Sequence, residues 1–560
     1  MNYKMIVAAA AISALSGCAG YQQDQKTVLQ AEAQASAIEA HMQFLASDQL
    51  AGRETGSKEH DVASLYIATQ LQALGFKPAG HNNSYFQQVP LRQARLVPDS
   101  AKFSLHVDGK TTELSFPKAF FNGPSMQYTD VDVTAPLVFA GYGLVSKEFG
   151  LDDYANIDVQ GKIVVLLTGR PDSLPSEEAA HLNSLKTKLA AERGAVGIIT
   201  IHTPKQEKAR PYATSLLYLN APSMEWLHAD GTPTDSYPNM KAGAYVHYDA
   251  AGALFAKAEQ SLAQIFAATE QQQSPKGFDL GVSATLKRRS THEAIDSPNV
   301  LAVLPGSDPA LKEEYVVITA HSDHIGLSND LRNDDKINNG AMDNASGVAI
   351  LLETARMFAS MPVAPKRSIL FAVVTGEEKG LLGADYFASN PTVAIDKMVA
   401  NVNLDMPVLL YPFADMIAFG ANHSSLGKVV EQAAAREGIA LSADPMPEQA
   451  IFTRSDHYTL VKKGVPAVFL MTGFKSKDPN QDGGKVWGSF FAKHYHKPSD
   501  DIPSLIKDYG AIRYDAGAVF ANINYNIALD IANTKQRPYW LKDSFFNGVF
   551  GKPYNRETVK

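Results

Sequence analysis

The sequence contains one cysteine in 560 residues. Because Cys18 has no second cysteine to pair with, an internal disulfide is excluded, and so is a cysteine nucleophile in the body of the chain. Beyond the N-terminus, no stretch approaches the roughly 20 consecutive apolar residues that a membrane helix needs. Clusters of lysine and arginine interleaved with aromatics are also lacking, and the formal net charge is -8. Nucleic acid is therefore not expected as a partner.

Two catalytic signatures are missing as well. The chain has neither the Gly-x-Ser-x-Gly elbow of serine hydrolases nor the His-Glu-x-x-His helix of thermolysin-like proteases. Both classes of enzyme are therefore disfavoured.

The N-terminus has the pattern of an export signal. The apolar run Met5–Leu15 is too short to span a bilayer and ends in Leu-Ser-Gly-Cys. This ending resembles the lipobox of bacterial lipoproteins, in which the cysteine is lipidated and becomes the mature N-terminus. The resemblance implies a signal peptide over residues 1–18, lipidation at Cys18 and, from Ala19, an outer-membrane location facing the periplasm or the exterior. An ordinary signal peptide with an incidental cysteine is the alternative.

Composition divides the remaining chain into several parts. With 45% hydrophobic residues, the chain can bury more than one core. Residues 19–30 are polar and suit a flexible tether. Residues 128–273 combine short strand-like runs with Pro-, Asp- and Gly-rich loops, which predicts an inserted, mostly-β domain. The main domain would then comprise residues 31–127 and 274–535. The aromatic C-terminal tail, residues 536–560, suggests no function.

After Asp279 the pattern alternates between buried strands and helices. The predicted strands are Val300–Leu304, Tyr315–Ala320, Ser368–Thr375, Met398–Asp405 and Ala467–Thr472. The segment Ser346–Ser360 carries apolar residues on one helical face. Alternation of this kind predicts an α/β fold, whose sheet presents functional residues in the loops at strand ends.

Histidines and acids follow these strands directly. His321 and Asp323 end the second strand, and a metal-bound histidine usually donates its other N–H to a carboxylate. Asp343 lies in the loop before the helix; its two carboxylate oxygens could bridge two cations. The alternative for Asp343 and Asn344 is ordinary loop and helix-capping chemistry.

Further acids lie at the ends of the next two strands. Glu377 and Glu378 would repel each other in a dry site unless a cation lay nearby. One could then ligate while the other takes a proton from bound water; a solvated acidic turn is the alternative. Asp405 could complete one coordination sphere. His494 and His496 alternate along an extended segment, so residue physics does not choose between them.

This set of residues fits two divalent cations that share one carboxylate and a water. Five segments in this order resemble the M28 family of zinc aminopeptidases: HSD at 321–323, GAMDNASG at 340–347, TGEEKGLLG at 375–383, NVNLDM at 401–406 and YHKPSD at 495–500. The resemblance covers roughly residues 296–501, and LAGRETGS at 50–57 is similar to a segment near the start of such peptidases.

The resemblance implies a mixed central sheet flanked by helices and an aminopeptidase that uses two Zn²⁺ ions, or Mn²⁺ or Co²⁺, on peptide substrates. It assigns as metal ligands His321, Asp343, Glu378, Asp405 and His496. Asp343 would bridge, Glu377 would be the general base, and Asp323 would orient His321. Tyr495 is expected to help stabilise the oxyanion, and His457 to orient the substrate.

The predicted insert is similar to a protease-associated domain, through Phe139-Ala140-Gly141-Tyr142-Gly143 and Arg193–Gly197 among others. Such domains usually carry no catalytic residues and are expected to shape access to the site. Three alternatives to an aminopeptidase remain open: a carboxypeptidase, a single-zinc enzyme of the same fold that resembles glutaminyl cyclase, and a non-catalytic peptide-binding protein.

Overall fold

The computed structural model describes residues 32–217, 219–328 and 334–551. The predicted signal peptide, the lipidation candidate Cys18 and the predicted tether at 19–30 lie outside the described residues. Within the described ranges, no helix has both the length and the apolar character needed to cross a bilayer.

Nineteen strands are present in the described residues. The first ten are β1 Lys77–Pro78, β2 Phe86–Leu96, β3 Lys102–Val107, β4 Lys110–Leu114, β5 Phe120–Phe121, β6 Asp130–Phe139, β7 Val145–Ser146, β8 Leu151–Asp152, β9 Ile163–Leu167 and β10 Gly197–His202. The others are β11 Ser223–Trp226, β12 Ala242–His247, β13 Phe278–Leu304, β14 Tyr315–His321, β15 Ser368–Val374, β16 Met398–Leu404, β17 Asp415–Phe419, β18 Ala440–Ser442 and β19 Ala467–Thr472.

The same residues form sixteen α-helices. The first eight are α1 Ala35–Leu45, α2 Lys58–Ala73, α3 Ser176–Ser184, α4 Lys186–Glu192, α5 Pro204–Ala209, α6 Tyr212–Leu216, α7 Tyr248–Ala251 and α8 Leu262–Glu270. The others are α9 Ser346–Ala359, α10 Leu382–Ser389, α11 Leu426–Arg436, α12 His457–Val461, α13 Gly483–Lys493, α14 Ile502–Tyr509, α15 Tyr514–Asn533 and α16 Phe545–Phe550.

The central sheet is mixed, in the order β18-β17-β19-β16-β14-β15-β13-β2-β11, with β1 paired to the end of β13. Its strands β15, β14, β16 and β19 are parallel and buried along their length, except for the partly buried Tyr315 at the start of β14. Continuous apolar runs form such strands because both faces are covered by helices. In β14, Val316 and Ile318 pack into the core that includes α9 and α15, while Val317 packs with Phe387 of α10 and Leu460 of α12.

The predicted α/β class with a mixed sheet between helices is confirmed. The five predicted strands are present as the end of β13 and as β14, β15, β16 and β19, and the predicted helix is α9. Strand β15 follows β14 on one side, whereas β16 lies on its other side. The order in which strands are added to the sheet therefore reverses at β14. A crevice opens at the carboxyl ends of the strands at such a position.

Strand β13 joins the central sheet to a second sheet. Its first part pairs with β3 and β6, and its last part with β2 and β15. The second sheet has the order β4-β3-β13-β6-β9-β10-β12-β5 and is accompanied by helices α3 to α8. The predicted insert bounds, 128–273, thus enclose only part of this sheet, because a continuous strand gives no break in composition between the two sheets.

Packing on both faces of β15 makes its side chains sensitive to truncation. Leu370 is fully buried, so we expect Leu370→Ala to lower the free energy of unfolding by about 2–5 kcal/mol. Chemical denaturation measures the change. Leu65, 55% exposed on α2, provides the matched control, and Leu65→Ala should stay within about 0.5 kcal/mol of the unsubstituted protein. Equal effects of the two changes would contradict this account of the core.

Candidate metal centre

Three side chains form the first donor group at the crevice. His321 Nε2 lies 3.4 Å from Asp343 Oδ1 and 3.3 Å from Asp405 Oδ1. His321 ends β14, and Asp405 directly follows β16, so two neighbouring parallel strands bring them together. The three residues are buried, and their donor atoms lie within 4.8 Å of one another. An imidazole with two carboxylates in this arrangement is a donor set that suits a divalent cation.

A second donor group uses the other oxygen of Asp343. His496 Nε2 lies 3.2 Å from Asp343 Oδ2 and 3.1 Å from Glu378 Oε2. Asp343 therefore presents one carboxylate oxygen to each group. His494, the other candidate, is directed away, with Nδ1 2.9 Å from the Ser499 carbonyl oxygen and Nε2 3.3 Å from Asp508.

His324 belongs to the second group but was not predicted. Its Nδ1 lies 2.6 Å from Glu378 Oε1, and it forms a potential donor set with Asp343 and Glu378. The imidazole is fully buried, and its Nε2 has no hydrogen-bond partner among the described residues. The sequence signal for this residue is its position directly after Asp323, in the segment HSDH at the end of β14.

The electrostatics of both groups favour added positive charge. Burial lowers the pKa of His321, but the carboxylates of Asp405 and Glu377 outweigh burial and raise that pKa well above its usual value. Burial also lowers the pKa of His496, yet Glu378 and Asp343 raise it to about 11. The raised pKa values show that these carboxylates stabilise positive charge on the histidines. A divalent cation supplies positive charge at the same place without a proton, so the donor set fits metal ions.

Glu377 lies beside both groups without joining either. Its side chain lines a cavity that continues from the crevice. The adjacent Glu378 contacts His324 and His496. Burial raises the pKa of Glu377 well above its usual value, and the charges of Asp405 and Glu378 add to this effect. A carboxylate with a raised pKa is better suited to accept a proton near neutral pH than an exposed one.

The Asp323 carboxylate orients the acidic turn. It accepts hydrogen bonds from the backbone N–H of Glu377 at 3.1 Å, the backbone N–H of Glu378 at 3.3 Å and the Thr55 hydroxyl at 3.0 Å. His321 Nδ1 lies 3.2 Å from the carbonyl oxygen of Asp323 and 3.8 Å from its carboxylate. The backbone of Asp323, rather than the carboxylate expected from the sequence, is therefore the closer partner of His321.

A chain of polar side chains fixes Asp405. Ser455 Oγ donates to Asp405 Oδ2 at 2.6 Å and accepts from Asn403 Nδ2 at 2.7 Å, and Asn403 Oδ1 accepts from the Thr319 hydroxyl at 2.5 Å. These residues are buried. Because Asn403 and Thr319 lie on adjacent strands of the sheet, the orientation of Asp405 is set by the sheet itself.

The loop that carries Asp343 is held from two sides. Asp500 accepts the backbone N–H groups of Met342 and Asp343, at 3.0 and 3.1 Å. Asn344 donates to the Leu404 carbonyl oxygen at 3.0 Å and accepts from the Met406 N–H at 3.1 Å. These contacts fix the bridging carboxylate relative to the end of β16.

Arg53 lies beneath the same loop and is 1% exposed. It donates to the backbone carbonyl oxygens of Leu45, Ser322, Asn339, Gly340 and Asp343. At Gly340, where φ is +59°, an added Cβ would lie 2.1 Å from the Asp343 carbonyl oxygen and 2.8 Å from the guanidinium. The LAGRETGS segment thus supplies a buried cation that ties the His321 and Asp343 loops together.

The crevice continues into a cavity of about 420 Å³. Asp343, Glu377 and Asp405 lie on one side of it, and most of the remaining lining is apolar. The apolar lining residues are Met406, Met446, Ile451, Phe469, Met471 and Phe491. Arg454 and Gln449 add polar groups to the same wall.

Tyr495 and His457, the two other residues predicted for the site, differ in whether they reach the cavity. Tyr495 lines the cavity, and its ring stacks on His496 with 3.9 Å between ring centroids. His457 is fully buried and is absent from the described cavity lining; its ring packs against Phe452 and Phe469, at 5.2 and 5.4 Å. Burial lowers the pKa of His457 to about 3, so its imidazole is neutral near pH 7. This position offers no direct contact with a molecule in the cavity.

A comparison with solved structures identifies the class of fold. The chain is similar to an aminopeptidase from Aneurinibacillus sp. strain AM-1, with a TM-score of 0.51 and 18% identity over 90% of this chain and 96% of that one. The aminopeptidase fold implied by the sequence motifs is therefore confirmed.

Sequence comparisons then show which known proteins the segment that carries the site is similar to. Residues 299–516 match the model of Peptidase family M28. A "Probable zinc metalloprotease" of Pyrenophora teres f. teres is 38% identical over 117 residues, 20% of this chain and 23% of that protein. "Probable leucine aminopeptidase 2" of Aspergillus fumigatus is 22% identical over 489 residues, 85% of this chain and 80% of that protein. The chain spans about a quarter of the length of the Pyrenophora relatives, at 23% and 24%.

The position of Arg53 predicts a specific effect on metal retention. Arg53→Met keeps the side chain's bulk but removes its five donated hydrogen bonds, so Asp343 and His321 should lose their fixed spacing. We expect zinc to be held at least about 10-fold more weakly, as for other partners that orient metal ligands. Competition with a chromogenic chelator measures this.

Arg367 provides the matched control. It is also 1% exposed and donates to Glu314 and to the carbonyl oxygens of Ile531 and Thr534, none of which contributes to the two donor groups. Arg367→Met should lower the melting temperature while zinc retention stays normal. Equal zinc loss in the two variants would mean that Arg53 acts only through general stability.

Proposed function

We propose that this chain is a metal-dependent aminopeptidase that hydrolyses N-terminal residues from peptides. The observation that carries the proposal is the shared carboxylate of Asp343, which joins two histidine-carboxylate donor groups next to Glu377 at the end of an apolar cavity. The matches to Peptidase family M28 and to aminopeptidases support the same activity.

Two zinc ions suit these groups, and Mn²⁺ or Co²⁺ would be accepted by the same oxygen and nitrogen donors. One would be held by His321, Asp343 and Asp405, the other by Asp343, Glu378 and His496, with His324 as a further donor of the second group. Such ions, when bound, lower the pKa of a water and polarise the peptide carbonyl.

The chain's own residues perform the proton transfers. Glu377 takes a proton from the attacking water and returns it to the leaving amine. Asp323 holds the backbone of Glu377 and thereby fixes the direction of its side chain. Burial keeps the pKa of Tyr495 well above its usual value, so its phenol stays protonated and can donate a hydrogen bond to the developing oxyanion.

The cavity suggests which substrates fit. Its carboxylates attract the protonated amine of a peptide N-terminus, while Met406, Phe469 and Met471 would accommodate an apolar side chain. We infer a preference for peptides that begin with a large apolar residue.

The alternatives have less support. A carboxypeptidase needs a cation that binds the terminal carboxylate of its substrate. The side chain of Lys497 donates to the Ala492 carbonyl oxygen at 2.5 Å and is absent from the described cavity lining. Arg454 is therefore the cation of the described cavity wall. A single-zinc enzyme would not need two donor groups that share Asp343. A non-catalytic binding protein would have no need of Glu377 between the two donor groups and the cavity.

We further propose that the unit built on the second sheet is a protease-associated domain that shapes access to the cavity. Two of the segments that carry this resemblance lie at the end of β6 and the start of β10, strands that both pair in parallel with β9. We also propose that lipidation at Cys18 anchors the enzyme to the outer membrane, facing the periplasm or the exterior. The lipobox-like ending of the export signal supports the anchor.

Removal of the base should separate chemistry from metal binding. Glu377→Gln is expected to lower kcat by about 100-fold or more while zinc content stays near normal, because Glu377 belongs to neither donor group. His321→Ala should lower zinc content, and Glu259→Gln, at an exposed position, should change neither quantity. Near-normal turnover by Glu377→Gln would contradict its assignment as the base.

The requirement for a free amine separates the candidate activities. Chromogenic aminoacyl anilides should be cleaved when the α-amine is free, with leucine and methionine derivatives faster than the aspartate derivative. The N-acetylated forms should resist cleavage because they lack the positive charge that the carboxylates attract. Cleavage of the blocked forms at a similar rate would contradict an aminopeptidase, and release of C-terminal residues from blocked peptides would favour the carboxypeptidase.

A further inference from the structure

The described part of the aromatic C-terminal tail, residues 536–551, packs behind the wall of the cavity. Within it, Trp540 is 1% exposed and Phe546 of α16 is fully buried. Trp540 Nε1 donates to the Gly464 carbonyl oxygen at 2.6 Å, so the tail is fastened to the loop that precedes β19. Helix α16 then lies between the unit of the second sheet and the central domain.

One segment of the central domain forms a large part of the cavity wall. This wall segment, residues 446–454, contributes Met446, Gln449, Ile451 and Arg454 to the lining. Phe452, in the middle of the same segment, is directed away from the cavity and is fully buried. Since Ile451 and Phe452 share one short 3₁₀ turn, any displacement of Phe452 also displaces Ile451.

Phe452 rests on the tail. Its ring centroid lies 5.1 Å from that of Phe546 and 5.1 Å from that of His423. Phe546 also packs edge-on against His423 at 4.9 Å, and His423 Nδ1 lies 3.1 Å from Ser544 Oγ at the start of α16. The back of the wall segment is therefore supported by the tail.

Helix α3 of the second unit supports the same region. His181 Nδ1 lies 2.8 Å from the Tyr458 hydroxyl, just after the wall segment, and Glu177 lies 2.8 Å from His423 Nε2. On its other side, the His181 ring contacts Phe545 and Phe550 of the tail, at 5.8 and 5.2 Å. The tail, α3 and the wall segment thus form one continuous packed cluster.

We propose that Phe546 and α3 are positioning elements that set the width of the apolar cavity, so that the C-terminal tail determines which N-terminal side chains the enzyme accepts. This inference rests on the proposed aminopeptidase activity. Apart from Ser455, which directly follows the wall segment and donates to Asp405, the contacts that hold the metal-ligand residues lie at the strand ends and at Arg53 and Asp500. A change behind Phe452 can therefore alter side-chain fit without removing a ligand.

Truncation of Phe546 tests the inference directly. Phe546→Ala leaves space behind Phe452, so the wall segment can retreat and the cavity should widen. We expect kcat/KM for a phenylalanine anilide relative to a leucine anilide to rise about 10-fold, a magnitude typical of a pocket changed by one or two carbons. The change should appear mainly in KM, while kcat and zinc content stay near those of the wild type.

Two further variants complete the experiment. Val549→Ala changes a residue of α16 that is 42% exposed and should leave the ratio unchanged. Tyr458→Phe removes only the contact with His181 and should shift the ratio in the same direction by a smaller factor; it provides the test if Phe546→Ala does not fold.

The outcomes are distinct. An unchanged ratio in Phe546→Ala and Tyr458→Phe, with normal wild-type cleavage, overturns the inference about the tail alone. A uniform loss of activity on every substrate, or a loss of zinc, also overturns it, because the tail would then serve only general stability. A wild type that cleaves none of the free-amine substrates overturns the proposed function and, with it, the inference.

Discussion

Buried negative charge is the constraint on which the organisation of this crevice depends. The carboxylates of Asp323, Asp343, Glu377, Glu378 and Asp405 lie together at the end of a parallel sheet, where the three aspartates are buried and the two glutamates are partly buried. Carboxylates in such a place are stable only when cations, N–H groups and hydroxyls surround them. The crevice provides all three: the Arg53 guanidinium, imidazoles directed at the acids, and backbone N–H groups that donate to Asp323 and Asp500. A bound divalent cation would balance the remaining excess of negative charge.

Much of this architecture follows from local sequence patterns. The strands β14, β15, β16 and β19 could be predicted because a strand buried on both faces must be apolar along its whole length. The predicted ligands come together because residues that follow neighbouring parallel strands emerge at the same edge of a sheet. His496 was a harder case, since alternation along the chain favoured neither it nor His494, and the choice depended on family resemblance.

Other features depend on tertiary contacts that no local pattern records. Arg53 is more than 260 residues away from the loops that it joins, and a lone arginine in a glycine-containing loop resembles a solvent-exposed residue. His324 looked like one more polar residue at a strand end. The Asp323 carboxylate was expected at His321 and instead accepts backbone N–H groups, because atom-level geometry is not encoded in spacing. The tail showed only a run of aromatics, which gives no indication of the surface that they cover.

The continuity of β13 has a consequence for how this molecule could evolve or be re-engineered. One 27-residue strand contributes to both sheets, so no loop separates the two units where the chain passes along β13. Removal of the second unit would cut β13 and disrupt its hydrogen-bonded pairing at the edge of the central sheet. Transfer of the unit to another protein would have to include part of β13. The boundary between the two units is therefore a position along one extended backbone.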